Sequence, residues 1–204
     1  MVVTIDGPAG AGKSSVARAV ARELAFTYLD SGAMYRCVAL ASLERGLAPE
    51  QVAPTLRIQV GDRVLLDGRD VTDAIREPAV SEAASRAAAL PAVRAAMVAE
   101  QRRLLGDGNW VAEGRDIGTV VAPEAEVKVF LTADPAERAR RRAAELDVDE
   151  ATVAAEQAMR DERDRTREHS PLAAAPGAVV LDTTAMTFPA AVQQVIDLVR
   201  KNTG

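Results

Sequence analysis

Cysteine, histidine and tryptophan occur once each in this 204-residue chain, and aromatic residues make up only 3% of it. With Cys37 alone, no internal disulfide can form. It sits in an apolar helical pattern, so a small buried side chain in a reducing, cytoplasmic setting is expected. No run of 18 apolar residues occurs, and no charged segment with a long apolar stretch precedes the first strand. Neither a membrane-spanning helix nor a signal peptide is expected. A net charge of −5 speaks against general nucleic-acid binding. Scarce aromatics leave the core to Ala, Val and Leu. Lysine is scarce too: Lys13, Lys128 and Lys201 are the only ones among 25 basic residues. In so arginine-rich a chain, an arginine carries an argument only through its position. No strong apolar surface stripe stands out, so a monomer is expected.

What is present begins at the first residues, MVVTIDGPAGAGKSSVARAV. Val2 to Ile5 form a β-branched run suited to a buried parallel strand. Gly7-Pro8-Ala9-Gly10-Ala11-Gly12-Lys13-Ser14 then reads G-x-x-x-x-G-K-S, the pattern that cradles nucleotide phosphates. Its glycines let several N–H groups turn inward as an anion nest. Ser14 and Ser15 open a helix whose Val16, Val20 and Leu24 recur at i, i+4 and i+8. The helix N-terminus adds partial positive charge where phosphates lie. Lys13 reaches the β- and γ-phosphates, and the Ser14 hydroxyl can ligate Mg²⁺. Water, a protein or a small molecule could each be the acceptor at this stage.

Hydrophobic residues are 48% of the chain, which places it among globular proteins with a sizeable core. Strands are expected at about 2–6, 26–29, 110–113, 127–132 and 178–182. Helices are expected at about 14–25, 33–45, 78–89, 91–105, within 135–168, and at 187–201. Residues 57–60 and 63–66 alternate around Gly61-Asp62 and predict a hairpin. The fold class is therefore α/β, a P-loop NTPase-type parallel sheet flanked by helices. A small α+β insertion is expected at about 57–105 and an arginine-rich lid at about 135–168, within one domain. Ligands of such sheets bind beyond the carboxyl ends of the strands. Gly7–Ser14, Asp30-Ser31-Gly32, Gly114-Arg115-Asp116 and Asp182-Thr183 are thus expected to face one side.

Three stretches bear on the acceptor. In Leu29–Arg36, Arg36 can fork onto phosphate oxygens, while Asp30 or Ser31 can equally serve as an ordinary helix cap. In Val111–Val121, Arg115 is suited to an acceptor phosphate and Asp116 to a polar group. A carboxylate accepts from an exocyclic amine but not from a carbonyl oxygen; a structural salt bridge is the plainer reading. In Met159–Ser170, Arg160, Asp164 and Arg167 share one helical face, although Asp161 with Arg165 reads as a solvated i, i+4 pair. Arg138, Arg141 and Arg142 fall on one side upstream. Arginines of a lid neutralise the charge that spreads during phosphoryl transfer. His169 reads as a surface residue at a helix end.

Taken together, IDGPAGAGKSS, LDSGAMYR, DGRDVTDAIR (67–76), LPAVRAAM (90–97), EGRDIGTVV, VKVFLTA, RDERDRTR and VVLDTT resemble the bacterial cytidylate (CMP) kinases over nearly the whole chain. The resemblance implies ATP phosphates at Gly7, Pro8, Ala9, Gly10, Ala11, Gly12, Lys13, Ser14 and Ser15, with Mg²⁺ at Ser14. It implies the cytosine ring at Ser31, Arg94, Asp116 and Arg167, and the sugar at Ser85, Arg160 and Asp164. It places the acceptor phosphate at Arg36 and Arg115, and catalysis at Lys13, Arg115, Arg141 and Arg167. CMP, dCMP and ATP are the implied substrates, with neither nucleic acid nor membrane as partner. The stretch between Arg142 and Arg160 is several residues shorter than the family pattern. Adenylate, thymidylate and shikimate kinases share only the first motif. A GTP-binding switch would carry N-K-x-D, which is absent from the sequence. A module that binds ATP without transfer leaves Arg36, Arg94, Asp116 and Arg167 without a purpose.

Overall fold

A computed structural model of the chain describes residues 1–61, 63–167 and 170–203. Its strands are β1 (Val2–Asp6), β2 (Thr27–Asp30), β3 (Ile58–Gln59), β4 (Leu65–Leu66), β5 (Arg69–Asp70), β6 (Trp110–Gly114), β7 (Val127–Thr132) and β8 (Val179–Asp182). Its helices are α1 (Lys13–Leu24), α2 (Ser31–Arg45), α3 (Pro49–Val52), α4 (Pro78–Ala87), α5 (Pro91–Leu105), α6 (Pro135–Leu146), α7 (Glu150–Arg165) and α8 (Phe188–Thr203). The main sheet has the order β2-β6-β1-β7-β8, and the expected α/β class is the one observed. The described residues form two compact units, Met1–Thr27 with Gly108–Gly204, and Tyr28–Asp107.

In the first unit β1 lies parallel to β6 and β7, and β7 to β8. The register opposes Asp6 to Gly114 and to Phe130, and Thr132 to Asp182. The turns after β1, β6 and β8 therefore leave the sheet at the same end, as expected for three of the four candidate turns. At the other end Val2 pairs with Trp110, whose N–H donates to the Met1 carbonyl. Val3, Ile5, Val111, Ala112, Val129 and Leu131 are all but fully buried. Val3, Ile5, Val111, Val129 and Leu131 share one face of this central layer, which is the apolar face a helix-covered sheet requires.

Gly7 stands where only glycine fits. Its φ is +149°, and a Cβ there would fall on the Leu131 carbonyl oxygen. Gly7→Ala is expected to lose more than about 2 kcal/mol of stability, through strain and overpacking combined, read from a denaturant melt. A loss below about 0.5 kcal/mol would contradict that close approach.

In the second unit α2 packs on α4 and contacts α5. The expected hairpin is present as β3 and β4, with Ile58 opposite Leu66; Asp62, at its expected turn, lies outside the described residues. A further strand, β5, joins β4 through Asp67-Gly68. Both residues have positive φ, +51° and +84°, as a two-residue type I′ turn requires. Asp67 is held there by the Arg57 N–H at 2.9 Å and Arg45 at 2.6 Å. The region expected as an insertion lies inside this unit.

Cys37 is fully buried in α2, and burial pushes its thiol up to about 12. A thiolate is the reactive form, so a thiol reagent at pH 8 is expected to leave Cys37 unmodified until the protein is unfolded. Mass spectrometry before and after adding denaturant reads this directly; rapid labelling of the folded protein would contradict it.

Candidate active site

The donor loop is built by its glycines and by what lies behind them. Gly10 and Gly12 have φ of +72° and +83°, closed to most side chains. Gly12 precedes α1 with no side-chain cap on the helix's first turn. Lys13 opens α1 and is nearly buried, its Nζ donating to the Pro8 carbonyl at 2.7 Å. Burial, and next to it the Arg115 charge, push the Lys13 ammonium down to about 7. Ser14 donates its hydroxyl to Glu113 Oε2 at 2.9 Å, and Glu113 is buried at the end of β6.

Asp6 ends β1 and accepts the N–H groups of Ile117 at 2.9 Å and Gly118 at 2.7 Å. Burial pushes its carboxyl up to about 6, against the lowering effect of those two bonds. Residues Ile117–Val121 form a π-helical turn. Asp6 thus anchors the chain just after Arg115 and Asp116. Arg115 donates from Nη1 to the Gly7 carbonyl at 2.5 Å and from Nε to Asp164 Oδ2 at 2.8 Å. Asp164 Oδ1 is taken by Arg167, one residue past the helix cap Thr166. Asp164 is thus held by Arg115 and Arg167, where the shared face of Arg160, Asp164 and Arg167 suggests Arg160 and Arg167. Arg160 lies close enough for its charge to lower the Lys13 ammonium further. Asp116 is buried.

The arginines of α6 each have protein partners. Arg141 bonds the Thr183 carbonyl at 2.7 Å and Glu137 at 2.7 Å, tying α6 to the turn after β8. Arg142 pairs with Glu145 on its own helix surface, and Arg138 turns inward. The i, i+3 and i+4 spacing puts all three on one side of α6, but each guanidinium has its own partner: Asp161 for Arg138, Glu137 and Thr183 for Arg141, Glu145 for Arg142. Asp161 is not half of a solvated pair with Arg165. It is buried against Arg138 at 2.6 Å, and Arg165 pairs with Glu162 instead.

In the second unit Asp30 caps α2 through the Ala33 N–H at 2.8 Å and also holds Arg36 at 3.1 Å. The cap reading of that stretch is the one observed for Asp30, whose second carboxylate oxygen takes Arg36. Ser31, Ser85 and Arg94 are buried. The Arg94 guanidinium lies 6.0 Å from the centre of the Tyr35 ring, within cation–π range. His169 lies outside the described residues.

The sequence model of the family described as cytidylate kinase matches residues 3–201. The chain belongs to that family. A cytidylate kinase from Carboxydothermus hydrogenoformans is 48% identical over 219 aligned positions, covering 99% of each chain. One from Mycobacterium avium is 48% identical, covering 98% of this chain and 96% of its own. An alignment of 219 positions exceeds the 204 residues here, so that cytidylate kinase carries residues this chain lacks. Among solved structures, a gluconokinase from Sinorhizobium meliloti shares the fold at 17% identity, with a TM-score of 0.52 over 99% of this chain and 93% of that one. So does an uncharacterized protein from Eubacterium ventriosum at 12% identity, with a TM-score of 0.58 over 98% of each.

Three residues that contact the donor loop or the turn after β6 in the first unit were not singled out by sequence reasoning: Asp6, Glu113 and Asp161. Asp6 ends β1 and Glu113 is the last residue but one of β6, each beside a motif, which was the available signal. Asp161 offered none, because its partners Ala9 and Arg138 are far away in sequence.

Proposed function

We propose that the protein transfers the γ-phosphoryl group of ATP to CMP, and to dCMP, as a cytidylate kinase. The observation that carries this reading is the double anchorage of Arg115. It is bonded to the Gly7 carbonyl of the donor loop and to Asp164, and stands next to the buried Asp116. A guanidinium suited to an acceptor phosphate is thereby fixed against the loop suited to the donor.

In this reading the Gly7–Ser15 loop and the Lys13 ammonium hold the β- and γ-phosphates, through the loop's N–H groups other than that of Ala9, which goes to Asp161, and with none from Pro8. An oxygen of the CMP phosphate, held by Arg36 and Arg115, attacks the γ-phosphorus in line, and the bond to the ADP oxygen breaks. That oxygen is already anionic, so no general base is assigned. Lys13, Arg115, Arg141 and Arg167 neutralise the charge that spreads over the moving oxygens. Ser31, Arg94, Asp116 and Arg167 read the cytosine, and Ser85, Arg160 and Asp164 orient the sugar. The Ser14 hydroxyl beside the Glu113 carboxylate suits Mg²⁺, which takes one or two protein oxygens and completes its shell with phosphates and water. When bound it neutralises phosphate charge; Ser14 and Glu113 would hold it.

The test is a coupled assay with MgATP and a panel of nucleoside monophosphates. ADP release is expected with CMP and dCMP and to be small with the others. Preferred transfer to another monophosphate, or hydrolysis without transfer, would overturn the reading.

A further inference from the structure

Gln157, Asp161 and Asp164 recur on α7 at i, i+4 and i+7, and all three are buried. Each meets the donor loop. Gln157 Nε2 occupies the room left by the missing side chain of Gly10, where a Cβ would come within 2.5 Å of it. Asp164 reaches the Gly7 carbonyl through Arg115. Asp161 makes the closest link. Its Oδ1 accepts the Ala9 N–H at 3.3 Å, and its Oδ2 holds Arg138 Nη1 at 2.6 Å. The same Nη1 donates to the Ala9 carbonyl at 2.7 Å, while Arg138 Nε donates to the Ala133 carbonyl at 3.1 Å.

Both backbone polar groups of one loop residue are therefore satisfied by a single buried ion pair contributed by α6 and α7. Such a pair adds little net stability compared with apolar residues of the same volume. Its effect here is directional. Ala9 carries an N–H and a carbonyl that point in different directions, and the pair fixes both, which fixes the peptide planes between Pro8 and Gly10. We infer that Arg138 and Asp161 are a positioning pair for the donor loop, holding the curvature in which its N–H groups converge on the ATP phosphates. ATP binding then depends on how α6 and α7 are seated, through two buried side chains. The inference rests on the kinase reading, since its effect falls on ATP.

The decisive variant removes the pair whole, Arg138→Met with Asp161→Leu, so that no buried charge is left alone. KM for ATP is expected to rise at least about tenfold, with KM for CMP within about twofold and the melting temperature near that of the wild type. Arg138→Lys, which keeps the charge but not the fork, is expected to fall between the two. A folded double variant with KM for ATP unchanged would overturn the inference. So would equal rises in both KM values that track lost stability. The wild type supplies a second measurement, independent of whether the variants fold. The Ala9 amide of the nucleotide-free protein is expected to exchange with deuterium at least about 100-fold more slowly than in an unstructured peptide. Unprotected exchange there would also sink the idea. If the wild type fails to phosphorylate CMP, the proposed function fails, but ATP affinity by calorimetry and the Ala9 exchange still decide the role of the pair.

Discussion

Lys13→Ala is expected to lower kcat/KM for phosphoryl transfer about 1,000-fold while leaving the fold intact. The first half follows from placement: the ammonium opens α1 at the loop, where it opposes charge on the transferring group. The second half follows from the titration. Burial and Arg115 hold the folded ammonium near 7, below its usual 10.5. Between those two pH values the unfolded chain binds more protons than the folded one, so this group makes stability rise with pH across that window. Near pH 7 the charge therefore opposes folding, and deleting it removes no stabilising cation. A melt of the variant at pH 7.5 is expected within a few degrees of the wild type. Turnover above one-hundredth of the wild-type value in a folded variant would remove Lys13 from the mechanism.

The second large effect concerns the base. CMP is expected to exceed UMP in kcat/KM by at least about 100-fold. Asp116 is buried, so its carboxylate must find donors inside the protein or on the ligand. In the proposed reading the cytosine amine supplies one. Uracil offers a carbonyl oxygen there, and two acceptors would face each other with no proton between them. Asp116→Asn carries both a donor and an acceptor, so the ratio is expected to shrink to within about tenfold, mainly by a gain for UMP. In the proposed reading Arg94, buried and seated over Tyr35, donates to O2, the acceptor that both bases share. Arg94→Ala should therefore weaken CMP and UMP alike. Similar kcat/KM for CMP and UMP in the wild type would refute this account of recognition.

The parts legible in the sequence are those governed by short-range chemistry. β1, the loop and α1 follow from a β-branched run, three glycines and a helix with one apolar face, all local. β7 was read to the residue because Val127–Thr132 alternates in burial, as a strand's side chains do. β5 was missed although Asp67-Gly68 is a strong turn signal, because two-residue strands leave too little alternation to register. The π-turn at Ile117–Val121 was illegible for another reason. No element was expected at these residues, and the turn's first N–H groups are held by the Asp6 carboxylate, more than 100 residues away in sequence. The same distance hid Asp161. A charge run with i, i+4 partners looks solvated whether or not one member turns inward, and only the tertiary fold decides which one does. The acceptor roles proposed for Ser31, Ser85 and Arg94 came from the resemblance and not from spacing, since these residues stand out in no local pattern.

Trp110, the one tryptophan, opens β6 and hydrogen-bonds Met1 at the start of β1. Excited at 295 nm, the chain thus has a single intrinsic reporter. It sits at the amino ends of the parallel strands, while the donor loop leaves from the carboxyl ends four residues further along, roughly 13 Å away at strand spacing. Its emission should follow the opening of the sheet and stay nearly silent when nucleotide enters. The variants described above can therefore be checked for folding in the same cuvette, by fluorescence, with substrate present.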